Sequence, residues 1–115
     1  MEAIKNAALP GIEIYCCDSG SEPLARAVGY GIEEEGLPYE IIGKTLGRAE
    51  ACELTKRPGL GVVVLVSEGS AAVYTRQLKT QDPLFDIKAP ETEKARTVGK
   101  NAARIVKNKP FLDLE

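Results

Sequence analysis

Three consecutive glutamates, Glu33, Glu34 and Glu35, are the residues of this 115-residue sequence best suited to chemistry. Carboxylate oxygens are hard ligands that can bind a metal ion, and a cluster of carboxylates also attracts a basic protein surface. The alternative is that the three side chains are simply the solvated end of a helix. The sequence contains no histidine, which removes the usual general base and the commonest transition-metal ligand. Catalysis is therefore the less favoured role for this chain.

The three acids fall at the end of a predicted helix, where carboxylates are normally disfavoured. Apolar residues recur every four positions at Leu24, Val28 and Ile32, and Gly36 and Pro38 follow the acids and stop the helix. The negative end of the helix dipole costs each carboxylate about 0.3–1 kcal/mol. A conflict of this kind with a local rule is enriched at functional sites.

Helical spacing predicts that the three glutamate side chains point in different directions. Glu33 points away from the apolar stripe, and Glu35 falls near it. Glu34 projects from the flank of the stripe, so it is the acid best placed to reach across the rim of an interface.

Strands and helices alternate around this helix end. The predicted strands span residues 11–17, 39–43, 60–66, 71–75 and 84–87, and the predicted helices span residues 23–35, 46–57 and 91–107. The uninterrupted LGVVVLV strand is typical of a central strand covered on both faces, and a tight turn at residues 68–70 returns the next strand antiparallel. We expect one domain over residues 1–115, an α/β three-layer sandwich with a mixed, mostly parallel sheet of about five strands, one antiparallel.

The last predicted helix has a basic side and is followed by an apolar tail. Its cations include Lys100 and Arg104, which form either an interaction surface or the solvated back of the helix. Its predicted buried stripe consists of Ala95, Val98, Ala102, Ile105 and Val106. Phe111 lies in the tail beyond the helix, where it must pack on the domain or on a partner.

Composition excludes several classes of partner. The net charge of −2 and the aromatic content of 5% argue against nucleic-acid binding. No stretch approaches the roughly 20 apolar residues of a membrane span. The three cysteines, Cys16, Cys17 and Cys52, fit neither a disulfide framework nor a zinc site, so we expect reduced, mostly buried thiols in a cytoplasmic protein.

Two local features allow alternative functions. The turn at residues 18–21 (DSGS) joins a strand to a helix, so Ser21 either caps that helix or belongs to a phosphate-binding turn; capping is favoured. Cys16 or Cys17 could serve as the nucleophile of a small standalone α/β enzyme, provided that its thiol pKa lies well below that of a free cysteine.

Two segments together resemble one protein family. Residues 31–40 (GIEEEGLPYE) and 98–114 (VGKNAARIVKNKPFLDL), with DPLF at residues 82–85 between them, resemble the small (beta) subunit of the reactivating factor for coenzyme-B12-dependent diol and glycerol dehydratases. The likeness runs in order along nearly the whole chain and is weak at residues 44–58.

The resemblance implies a non-catalytic subunit that pairs with a large, chaperone-like ATPase subunit. The complex would release damaged cobalamin from the inactivated dehydratase through subunit exchange. The family places a glutamate of the GIEEEG segment at a divalent metal on the large subunit, and Glu34 matches it, so Glu34 is the expected Mg²⁺ ligand in trans. The expected interface consists of Glu33, Glu34, Glu35, Lys100, Arg104 and Phe111.

A second possibility is a small subunit or accessory component of a B12-dependent dehydratase itself. The length of 115 residues leaves little room for the additional elements that a cobalamin-contacting subunit needs, which favours the reactivating factor. The choice between diol and glycerol dehydratase, the stoichiometry, self-association and a place inside a bacterial microcompartment stay open.

Overall fold

The computed structural model describes residues 11–67, 69–78, 82–88 and 91–112. The strands are β1 (Ile12–Cys16), β2 (Tyr39–Ile42), β3 (Val62–Ser67), β4 (Ser70–Thr75) and β5 (Phe85–Lys88). The helices are α1 (Glu22–Glu34), α2 (Arg48–Leu54) and α3 (Thr92–Lys107), and a 3-10 turn (Ser19–Ser21) precedes α1. All eight predicted strands and helices are therefore present, with ends that differ by a few residues.

The five strands form one mixed sheet in the order β2-β1-β3-β4-β5. β1 pairs in parallel with both β2 and β3, whereas β4 is antiparallel to β3 and to β5. One strand of the five thus runs against the others, as predicted. Ser67 pairs with Ser70 across the β3–β4 hairpin, and Gly69 supplies the positive φ of 76° that the turn requires. Glu68, the remaining turn residue, lies outside the described residues.

The sheet is covered on both faces, which gives the predicted three layers. On one face α1 and α3 pack against each other and against alternate residues of β3, including Val62, Val64 and Val66. On the other face α2 covers the intervening residues, including Val63. The β-branched run of β3 is buried on both sides because each face has its own helical layer.

The second predicted helix is too long. α2 starts at Arg48 because the Gly47 amide donates to the Glu50 carboxylate at 2.9 Å, which fixes the first turn. It ends at Leu54, after which the Thr55 hydroxyl donates to the Cys52 carbonyl at 2.6 Å. Leu46 precedes the helix and packs instead in the core beneath it.

The structure also corrects the expected cap of α1. Ser21 occupies the capping position but makes no side-chain cap. Its hydroxyl lies 3.0 Å from each carboxylate oxygen of Asp18 and accepts a hydrogen bond from the Gly69 amide at 3.4 Å. Because a carboxylate already occupies this turn, the arrangement also disfavours a phosphate there.

Two glycines let α1 and α3 touch backbone to backbone. A Cβ on Gly31 would lie 1.9 Å from the Arg96 carbonyl oxygen, and a Cβ on Gly99 would lie 1.9 Å from the Val28 carbonyl oxygen. The buried stripe of α3 includes this glycine and Asn101 in addition to most of the predicted apolar residues, whereas Val106 is only partly buried. This close crossing brings the acidic end of α1 beside the basic side of α3.

Among the described residues, no helix combines the length and the apolar character needed to cross a bilayer. Residues 1–10 and 113–115 lie outside the part of the chain that the structure describes.

Candidate functional site

The end of α1 has the geometry that the sequence predicts. Gly36 adopts a positive φ of 88°, and its amide donates to the Glu33 carbonyl at 2.9 Å. The Leu37 amide donates to the Ile32 carbonyl at 3.3 Å, which completes a Schellman motif. The motif fixes Glu33, Glu34 and Glu35 in the final turn of the helix and its cap.

Glu35 is the least exposed of the three. Its side chain is 11% exposed, and one carboxylate oxygen accepts from Arg104 Nε at 3.1 Å and Arg104 Nη2 at 3.0 Å. Lys107 Nζ lies 3.3 Å from the other oxygen and donates to the Glu35 backbone carbonyl at 2.6 Å. These cations of α3 offset the negative end of the α1 dipole, so the apparent conflict in the sequence is resolved within the chain.

Glu34 lies at the rim of the same contact. Its side chain is 36% exposed; Arg96 Nη2 donates to one carboxylate oxygen and Lys100 Nζ lies 3.3 Å from the other. The hydrogen bond from Arg96, aided by Lys100, lowers the pKa of Glu34 against a smaller opposing effect of desolvation. Glu34 is therefore a carboxylate that stays ionised and is reachable from outside the domain.

The cations of α3 therefore play a role that differs from both predictions, a free interaction surface and the solvated back of the helix. Lys100 and Arg104 form ion pairs with α1 instead of lying free on a basic surface. Lys94, on the same helix, is exposed and has no ion pair among the described residues. Four of the six predicted interface residues, Glu34, Glu35, Lys100 and Arg104, are consequently joined in ion pairs inside the chain.

The remaining predicted site residues lie at two different places. Glu33 is exposed, as its helical position predicts. Phe111 is 48% exposed and packs edge-on against Phe85 of β5, with ring centroids 5.1 Å apart. The carbonyl of Pro110 accepts from Arg104 at 3.0 Å, so the start of the tail is joined to the ion-pair cluster.

The tail is held on the domain by a buried side chain. The amide of Asn101 donates to the Leu112 carbonyl at 3.0 Å, and the Leu112 amide donates to Asn101 Oδ1 at 2.7 Å. Asn101 itself is fully buried. The sequence left open whether the tail packs on its own domain or on a partner. Up to residue 112, the tail packs on its own domain.

An Asn101→Ala chain is expected to lose about 1–2 kcal/mol of its free energy of unfolding, because two neutral hydrogen bonds to the tail disappear. The Leu112 amide should at the same time exchange with solvent faster than in the wild type. Chemical denaturation and amide hydrogen exchange measure the two effects, with Lys109→Ala, an exposed change at the start of the tail, as control. Unchanged protection of Leu112 would contradict the assignment.

Arg96 is the functional candidate that the sequence interpretation misses. Arg96, Lys100 and Arg104 are spaced by four residues, which places them on one side of α3. This spacing could have identified Arg96 as a member of the set. It could not have identified α1 as the element that faces them.

The cysteines give no support for a thiol nucleophile at Cys16. Burial raises the pKa of the Cys16 thiol, and its sulfur donates to the Asp18 carbonyl at 3.2 Å. Within the described structure no disulfide joins the three cysteines; Cys16 and Cys52 are buried, whereas Cys17 is partly exposed. A raised thiol pKa is the opposite of what nucleophilic activation needs.

Comparison with known proteins gives consistent relatives. The family described as dehydratase medium subunit matches residues 9–112. The small subunit of the diol dehydratase-reactivating factor of Klebsiella michiganensis is 34% identical over 112 residues, which is 95% of this chain and 89% of that protein. The small subunit of the propanediol dehydratase-reactivating factor of Salmonella typhimurium is also 34% identical over 112 residues, covering 95% of this chain and 96% of that protein.

Two solved structures share the fold. A chain of the diol dehydratase-reactivating factor, solved in complex with ADP and Mg²⁺, has a TM-score of 0.79 and 31% identity, covering 90% of this chain and 98% of that chain. A chain of a glycerol dehydratase reactivase has a TM-score of 0.81 and covers 92% of this chain and 99% of that chain. Its identity of 24% supports similarity of fold alone.

Proposed function

Because the chain belongs to the dehydratase medium-subunit family and is similar to reactivating-factor small subunits over nearly its whole length, we propose that it works as such a subunit. Its partner is a large, chaperone-like ATPase subunit. The complex releases damaged cobalamin from an inactivated diol or glycerol dehydratase in the cytoplasm. This chain supplies a binding surface and performs no catalysis itself.

The surface that we assign to the large subunit is built around the end of α1. Its members are the residues that the sequence analysis selects: Glu33, Glu34, Glu35, Lys100, Arg104 and Phe111. The observation that carries the assignment is that the two segments responsible for the family resemblance pack together as the α1–α3 crossing and its tail. Glu34 is the acid of this surface that combines partial exposure with a fixed position.

One carboxylate from this chain fits the role of a shared metal ligand. Among the described residues, no group of three or more histidine, cysteine, aspartate or glutamate side chains could hold a metal. Glu34 alone would therefore contribute a single hard oxygen ligand to Mg²⁺, with the other ligands coming from the large subunit and water. The Mg²⁺ in the solved diol dehydratase-reactivating factor supports the choice of ion.

Subunit exchange requires an interface that can open. In the proposed mechanism the small subunit leaves the large subunit, whose freed surface takes the dehydratase small subunit and loosens the enzyme. Polar contacts and a metal bridge suit such a moderate, reversible interface better than an extensive apolar one. The intramolecular ion pairs of Glu34 and Glu35 let the separated chain keep these acids compensated.

Glu34→Gln tests the metal-bridge assignment. Outer-shell partners of a metal commonly contribute 10–100-fold, so loss of a direct ligand should weaken Mg²⁺-dependent assembly by at least about tenfold. Light scattering of the chain titrated against the large subunit, with Mg²⁺ and either ADP or ATP, measures assembly. Glu40→Gln, an exposed change of equal charge on β2, is the control. Equal affinity of the Glu34→Gln and wild-type chains would remove Glu34 as a ligand.

The description of the matching family, dehydratase medium subunit, favours a second candidate. In that case the chain is a component of a B12-dependent dehydratase. Absence of binding to the large subunit with any nucleotide, together with binding to cobalamin, would establish this candidate over the first.

A further inference from the structure

Both oxygens of the Glu34 carboxylate already face cations of the same chain. Arg96 Nη2 donates to Oε2, and Lys100 Nζ lies 3.3 Å from Oε1. The two cations are one helical turn apart on α3, so they hold the carboxylate from the same side. Any divalent cation that binds Glu34 therefore arrives next to two positive charges of the same chain.

These two cations can move without unfolding the domain. The side chains of Arg96 and Lys100 are 41% and 32% exposed, so each can rotate its charged group into solvent. Arg96 Nε is buried and has no hydrogen-bond partner within the described structure, so part of this guanidinium is held without full compensation. The Glu35 pairs differ, because that carboxylate is only 11% exposed and its cations also bind backbone carbonyls.

Resting on the function proposed above, we propose that Arg96 and Lys100 compete with the divalent cation for Glu34 and thereby set the Mg²⁺ concentration needed for assembly. In the separate chain the two cations neutralise the carboxylate. In the complex the metal replaces them, and they turn toward solvent or toward acceptors of the large subunit. The internal ion pair thus gives the free subunit a stable alternative to the metal bridge, which makes release reversible.

The competition predicts that removing a cation makes the metal bind more readily. Because a positive charge within several ångströms of a dication is strongly repulsive even at an effective dielectric constant of about 20, Arg96→Gln or Lys100→Gln should reduce the half-saturating Mg²⁺ concentration about three- to tenfold. The matched control is Lys94→Gln, which removes the same charge from an exposed position of the same helix. Long-range effects of net charge are common to all three variants.

The experiment is a Mg²⁺ titration of assembly with the large subunit, at constant ionic strength and constant ADP, followed by light scattering. Wild type, Arg96→Gln, Lys100→Gln, Lys94→Gln and Glu34→Gln are compared after thermal unfolding has established that each chain is folded. If Arg96→Gln fails to fold, Lys100→Gln still decides the question, because Lys100 contacts the same carboxylate from the next turn.

A lower Mg²⁺ requirement in Arg96→Gln and Lys100→Gln, but not in Lys94→Gln, is the expected result. An unchanged or higher requirement in the first two variants would overturn the proposed competition, a higher one indicating that the cations position Glu34 for the metal. An equal shift in all three variants would overturn it as well, because the effect would then come from net charge. Failure of the metal bridge itself is seen separately, as a Glu34→Gln chain that titrates like the wild type.

Discussion

Replacing Gly99 with alanine should lower the free energy of unfolding by about 3 kcal/mol, because the new methyl group has no space between α1 and α3. Its position would be 1.9 Å from the Val28 carbonyl oxygen and 3.1 Å from the Ile32 amide nitrogen. Both atoms belong to the backbone of a packed helix, so relief requires the two helices to separate. Separation would also weaken the ion pairs that hold Glu34 and Glu35.

Intrinsic helix propensity acts in the opposite direction and is too small to reverse the sign. Alanine is favoured over glycine inside a helix by about 1 kcal/mol, which would stabilise α3 if the site were open. Gly43→Ala is the comparison, because a Cβ on Gly43 meets no atom within 4 Å. Urea denaturation followed by circular dichroism should show a large loss for Gly99→Ala and a change within about 0.5 kcal/mol for Gly43→Ala. A neutral or stabilising Gly99→Ala change would show that the helix crossing is not closely packed.

The strands and helices could be predicted because their signals are local. The apolar run of β3, the alternation of β1 and the stop at Gly36 each depend on neighbours within a few residues. The single antiparallel strand followed from one tight turn at the end of β3. Where two local signals compete, prediction is weaker: Leu46 continues the apolar period of α2, but the Gly47–Glu50 cap starts the helix after it.

The arrangement of the site could be predicted only in part. The direction of each glutamate follows from helical spacing, and the exposure of Glu33 and the low exposure of Glu35 agree with it. The partners of these acids depend on which helix lies beside α1 and at what separation. That separation is set by Gly31 and Gly99, which are far apart in sequence and whose reciprocal contact has no local signature.

The same tertiary contact changes the interpretation of the acidic cluster. In the sequence, carboxylates at the negative end of a helix break a local rule, which leaves either a functional site or a solvated helix end. In the structure, Lys107 and Arg104 compensate Glu35, and only Glu34 combines ion pairing with exposure of about a third of its side chain. The cluster therefore contains a structural acid, Glu35, and an acid at the rim, Glu34. Substituting each one separately distinguishes the two roles.

Glu35→Gln should lower the free energy of unfolding at neutral pH by about 2 kcal/mol, because hydrogen bonds to charged groups are lost from a nearly buried position. The glutamine amide keeps one acceptor oxygen but turns its NH₂ group toward Arg104 or Lys107. In the native chain, Arg104 Nη2 lies 3.0 Å from one Glu35 carboxylate oxygen and Lys107 Nζ lies 3.3 Å from the other. Glu33→Gln, an exposed change of equal charge in the same turn, should stay within about 0.5 kcal/mol of wild type. Urea unfolding of the three chains at pH 7 measures this difference.

The pH dependence of the same comparison identifies the ionised carboxylate as the source of the stability. Burial alone would raise the pKa of Glu35, but the hydrogen bonds and charges of Arg104 and Lys107 outweigh burial and lower it. A pKa that is lower in the folded than in the unfolded chain stabilises the fold at pH values above the unfolded pKa of about 4.3. That contribution is lost as the pH falls through the lower, folded pKa.

The difference in free energy of unfolding between wild type and Glu35→Gln should therefore be full at pH 7 and shrink below about pH 4. A gap independent of pH would mean that Glu35 stabilises the crossing through packing, and that its ion pairs with α3 contribute little.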